Sequence, residues 1–171
     1  PTRRSSDLID GARLGYALTA TGNDVTLEDI ARIADVFYIG GTKVGAMFGE
    51  AVVFTHGNMP KNFVTLVKQH GALLAKGWLL GVQFDTLFTD DLYCRIARHA
   101  NDAADRIREV LVERGYTLTF DAPTNQIFIT LDNATSERLQ RNVRLGFMEK
   151  ADDTHTVMRI CTSWATTDEQ V

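Results

Sequence analysis

The sequence has 171 residues, 44 % of them hydrophobic, and a formal net charge of −4. That is about one domain's length with enough apolar content for a core, and the acidic balance with no Lys/Arg run excludes a general nucleic-acid binder. No apolar run reaches membrane-spanning length and the first residues do not read as a signal peptide, while two distant cysteines, Cys94 and Cys161, form neither a disulfide framework nor a zinc pair and suit a reducing, cytoplasmic setting.

The first eight residues, Pro1–Leu8, read as a translated sequencing adapter fused to a gene sequence, and are set aside from fold reasoning. Ile9–Asp10 is the stub of a strand. "GARLGYALTATG" spaces Ala12, Leu14, Tyr16, Ala17 and Leu18 as a short helix or turn ended by Gly22. "TLEDIARIA" opens with Thr26 as N-cap and Asp29 three residues on, the pattern of a capping box. The β-branched and aromatic residues of "DVFYIGG" and "EAVVFT" predict two strands around a lysine loop. Residues 59–88 are predicted mostly helical, with breaks at Gly71 and Gly77. The longest helix follows, with Leu92, Ile96, Ala100, Ala103, Ile107, Val110 and Leu111 as its apolar stripe and Gly115 as its stop.

Beyond Gly115 the texture changes. "YTLTF", "QIFITL" and "VMRICTSW" read as strands, and "SERLQRNVRL" as an amphipathic helix with Ser136 near its N-cap. The division expected is therefore residues 9–90 as the end of an α/β domain and residues 91–171 as a small C-terminal α+β domain. Cys94 and Cys161 are expected to be small buried hydrophobes. The four histidines show no metal spacing, and no metal site is expected.

Three places carry candidate chemistry. "GGTKVG" has neither Walker nor GxGxxG spacing, so a nucleotide reading gains no support. Its glycines, Gly40, Gly41 and Gly45, keep side chains away from Lys43 and let backbone approach a bound group. A desolvated amine in such a place loses its proton more readily and attacks carbonyls. Alone, a lysine in a glycine-rich loop is more often a solvated side chain. Asp10 stands at the end of the first strand, where α/β sheets place ligand contacts. Alone, such an aspartate more often caps the next turn, with Arg13 paired to a surface acid. Arg159, inside an alternating strand, either faces solvent or binds an anion.

Taken together, "IDGARL", "TLEDIARIADVFYIGGTKVGAMFGEAVVF", "KQHGALLAKGWLLGVQF" and "MRICTSWAT" resemble the low-specificity threonine aldolase and aromatic amino acid β-eliminating lyase family of fold-type I pyridoxal-phosphate enzymes. The resemblance runs from Ile9 onward and corresponds to the C-terminal half of that family. It implies an α/β large domain followed by a small α+β domain, and the cofactor pyridoxal 5′-phosphate. It implies Lys43 as the residue that condenses with the cofactor's aldehyde, Asp10 beside the pyridine nitrogen, and Thr42 at the cofactor phosphate. Arg13 and Arg159 would grip the α-carboxylate of an amino acid substrate. The implied reaction cleaves threonine or allo-threonine to glycine and an aldehyde. A β-eliminating lyase, a serine hydroxymethyltransferase, an aminotransferase or a non-catalytic binding module are the other readings. His70 stands where relatives tend to carry an arginine, with Lys68 or Lys76 as substitutes. The resemblance also implies a homo-oligomer, dimer or tetramer, without nucleic acid or membrane partners. This chain alone is expected to be inactive and prone to aggregate, because a sheet edge and an apolar face would lie open.

Overall fold

The computed structural model describes residues 7–171. Of the adapter-like segment only Asp7 and Leu8 fall within the described residues: Leu8 opens a strand, and the Asp7 carbonyl accepts from the amides of Asp35 at 3.0 Å and Val36 at 3.2 Å. The chain divides into two compact units. One comprises the residues up to Leu18 together with Gly22–Ile96; the other comprises Thr19–Thr21 and Ala97–Val171.

In the first unit, strand β1 (Leu8–Ile9) runs parallel to β2 (Val36–Gly40), which pairs antiparallel with β3 (Glu50–Phe54). Two short helices lie between β1 and β2: α1 (Leu14–Leu18) and α2 (Leu27–Ile33). Helix α2 starts where its sequence says it should. The Thr26 hydroxyl accepts from the Asp29 amide and the Asp29 carboxylate accepts from the Thr26 amide, so two otherwise unpaired donors are satisfied reciprocally. Helices α3 (Phe63–Gln69) and α4 (Trp78–Phe88) follow β3, separated by a break at Gly71, whose φ is +70°. A single 3-10 turn, Thr89–Asp91, then leads into α5 (Leu92–Glu113).

Backbone crowding at the ends of β1 and β2 dictates glycine. A Cβ on Gly11 would lie 1.9 Å from the Tyr38 carbonyl oxygen, and one on Gly40 2.4 Å from the Ala12 carbonyl oxygen. The Gly40 amide donates to the Gly11 carbonyl at 2.9 Å in this tight crossing. Neither obstacle is a movable side chain, so no larger residue fits.

The second unit is an antiparallel sheet of β4 (Gln126–Asp132), β6 (His155–Cys161) and β5 (Gly146–Lys150), in the order β4-β6-β5, with α6 (Asn133–Leu139) after β4. Ile127, Ile129, Leu131 and Met158 from one sheet face pack with Ala104 of α5 to form the core. Alternation of buried residues along β4 reflects that one-sided burial.

Several sequence expectations are corrected here. "YTLTF" is not a strand: Leu118 makes one isolated bridge to Ile129. Beside it the Thr119 amide donates to the Phe128 carbonyl at 2.8 Å, Phe120 stacks on Phe128 at 4.5 Å, and the Thr119 and Thr130 hydroxyls lie 3.1 Å apart. The cap of α6 is Asp132, whose carboxylate accepts from the Thr135 amide at 2.8 Å, while Ser136 lies inside the helix and is buried. The buried stripe of α5 includes Tyr93, Ala97 and Ala104, and Val110 is exposed. Cys161, the last residue of β6, is exposed rather than buried.

Candidate functional site

The parallel pairing of β1 and β2 sends both chains out of the sheet at the same edge. Asp10 follows β1 directly, and Gly41, Thr42 and Lys43 follow β2. Crevices outside the carboxyl ends of parallel strands are where open α/β sheets take ligands. Asp10, Arg13, Thr42 and Lys43 are thus brought to one edge of the first unit. Arg159 lies in the second unit, on β6.

The lysine loop is held by its backbone. The Val44 and Ala46 amides donate to the Gly41 carbonyl at 2.9 and 3.0 Å. The hydroxyl of Tyr16, on α1, donates to the Lys43 carbonyl. Val44 is fully buried, and Gly45 completes the turn at φ +93°. Downstream, Gln83 of α4 clamps the loop from both ends of its amide, accepting from the Met47 amide at 2.8 Å and donating to the Phe48 carbonyl at 3.1 Å. The Lys43 and Thr42 side chains are exposed. The apolar enclosure expected around the amine is therefore not formed by the described residues.

Tyr93 ties the two ends of the site together. Its hydroxyl accepts from the Gly15 amide at 3.1 Å and donates to the Gly40 carbonyl at 2.9 Å. Burial pushes its phenol up to about 12, because the anion would be stranded away from water. Phe88 stacks on its ring at 5.3 Å. Tyr16, Gln83 and Tyr93 were all missed as site residues. The available signal was a tyrosine on the apolar face of each of two helices, since a buried phenol needs a partner.

Asp10 does cap its own turn: its Oδ1 accepts from the Ala12 amide at 3.0 Å. Its other oxygen has no protein hydrogen bond among the described residues. Arg13 is half-buried and forms no ion pair among the described residues, so the surface-acid pairing does not arise. Arg159 does not simply face solvent. It is half-buried, its Nε is enclosed without a partner, and its Nη1 donates to Gln126 Oε1 at 3.2 Å. The chemistry of the first edge is that of a primary amine and a carboxylate on neighbouring strand ends. An aldehyde-bearing pyridine needs such a donor set, with the amine for its aldehyde and the carboxylate for its ring nitrogen. Among the described residues no group of three or more His, Cys, Asp or Glu is arranged to hold a metal ion, and no helix is long and apolar enough to cross a membrane.

No family model matches the sequence. The chain is 31 % identical over 133 residues to the low specificity L-threonine aldolase of Pseudomonas aeruginosa, a match covering 77 % of this chain and 38 % of that protein. A protein of the same name from a Pseudomonas species is 29 % identical over 133 residues, with the same coverage of both. The chain therefore spans well under half the length of these curated relatives. Among solved structures, Leishmania major threonine aldolase matches with a TM-score of 0.91 and 42 % identity, over 95 % of this chain and 48 % of that one. Sphingomonas wittichii serine palmitoyltransferase matches with a TM-score of 0.60 at 16 % identity, over 95 % of this chain and 43 % of that one, which is a likeness of fold alone. The architecture is part of the fold-type I pyridoxal-phosphate enzyme fold.

Proposed function

Because the chain belongs to the threonine aldolase family, we propose that the protein carrying it is a pyridoxal-phosphate-dependent carbon–carbon lyase. It cleaves a β-hydroxy-α-amino acid of the threonine type to glycine and an aldehyde. The observation that carries this reading is the exit of Asp10 and Lys43 at one edge of a parallel strand pair. When bound, pyridoxal phosphate supplies a ring that accepts the electrons of a bond broken beside the amino-acid nitrogen.

The chain's own residues do the rest. Lys43 would hold the cofactor through its Nζ, a primary amine of the kind that attacks an aldehyde. Asp10 would stand beside the cofactor's ring nitrogen, where a carboxylate favours the protonated, electron-poor ring. Thr42 offers a hydroxyl to the cofactor phosphate. Arg13 and Arg159 take the α-carboxylate, because a planar guanidinium matches its two oxygens. Tyr16, Tyr93 and Gln83 keep the lysine loop in place so that the amine need not be ordered at each turnover. The working protein is a homo-oligomer, as expected of a scaffold that builds sites between copies.

Borohydride reduction of the holoenzyme followed by peptide mapping tests the assignment. The cofactor label is expected on the peptide containing Lys43, and a label on another lysine would overturn it. Incubation with L-threonine is expected to release glycine and acetaldehyde. Pyruvate or a keto acid instead would move the protein to a different reaction on the same fold.

A further inference from the structure

Arg159 stands on the sheet face opposite the core of the second unit. It is paired across β4 with Phe128 and across β5 with Gly146. A guanidinium that is half-buried with an enclosed, unpartnered Nε is costly to keep unless something answers its charge. Among the described residues no carboxylate does so. The acceptor it does meet is Oε1 of Gln126, on the diagonal position of the neighbouring strand, at 3.2 Å from Nη1. Long side chains reach that diagonal in antiparallel sheets. Gly146 has no side chain to close over the other flank; even a Cβ there would stand 3.6 Å from Nε.

The chemistry of the pair is one-sided. Arginine is donor-only, so it fixes the Gln126 amide with its oxygen inward. A neutral oxygen orients the cation without cancelling its charge. A glutamate of the same shape would cancel it. We infer that Gln126 is the positioning residue of a carboxylate-binding guanidinium: it aims Arg159 while leaving its charge and remaining donors for the substrate's α-carboxylate. The inference rests on the role proposed above for Arg159.

The test uses the full-length holoenzyme and two probes, glycine and methylamine, which share an amine but differ by the carboxylate. Binding of each is followed by the change in cofactor absorbance. Gln126→Met is expected to weaken glycine binding about tenfold, the size of one hydrogen bond to a charged group, and to leave methylamine binding unchanged. Gln126→Glu, which has the native shape, is expected to weaken glycine binding further, again sparing methylamine. Unaltered methylamine binding also reports that each variant is folded. Equal losses for both probes would reduce Gln126 to a structural residue and overturn the inference. Unchanged glycine binding in Gln126→Met, with binding lost in Arg159→Gln, would overturn it while leaving the role of Arg159 intact. Unchanged glycine binding in Arg159→Gln would overturn both.

Discussion

Tyr93 shows how one side chain can set the geometry of a site it never enters. It satisfies a helix amide on Gly15 and a strand carbonyl on Gly40, two residues before the loop that carries Lys43 begins to turn. Replacing it with phenylalanine removes both hydrogen bonds, at a cost of roughly 0.5–1.5 kcal/mol each. The pH dependence has a definite sign. The phenol's pKa is raised from 10.0 to about 12 in the folded chain, so its contribution is whole below pH 10 and drains away as pH climbs toward 12. Melting curves between pH 8 and 12 are expected to fall steeply above pH 10 in the native protein and less so in Tyr93→Phe. Parallel curves would mean that the buried phenol is not the titrating group. Asp10 and Lys43 could be picked out as residues because their types carry the chemistry. Tyr93 could not, because its value lies in two backbone partners far away in sequence.

At the scale of elements, what was legible depended on whether the signal was local. The Thr26 capping box lies within four residues and reads directly. Strand β5 was missed because only its first residue is even partly buried and its register shifts between Phe147 and Glu149, so no alternation marks it. Ser136 was mistaken for a cap because β4 runs into α6 without a linker, and the helix therefore starts earlier, at Asp132. That cap gives a prediction of its own. The Thr135 backbone amide holds the Asp132 carboxyl below its ordinary value of 3.8. A depressed pKa means stability present above pH 3.8 and lost as pH falls below it. Amide exchange at Thr135 is expected to quicken on acidification in the native chain. In Asp132→Asn, which keeps a capping oxygen without the charge, exchange should hold steady across the same range. Identical acid responses would show that the carboxylate is not the cap that matters.

Considered as a whole, the chain shows much apolar surface on its first unit. Met47 is 86 % exposed and Trp78 65 %, while Val52 lies 46 % exposed on β3, a strand paired on one side only. Single exposed apolar residues are unremarkable, but an open edge together with so many of them favours self-association. Light scattering of this 171-residue chain by itself is expected to report large particles, reduced by Val52→Lys; a monodisperse monomer would contradict this. The sequence-based boundary at residue 90 is set where the long helix begins, whereas the compact units divide inside α5, after Ile96. That difference matters for anyone dividing the gene. A break at codon 90 removes the phenol of Tyr93 from the very half whose Gly15 and Gly40 depend on it, so the excised piece would begin life already damaged. A break after codon 96 keeps the bolt with its lock, and the right place for the scissors is in mid-helix, where instinct forbids it.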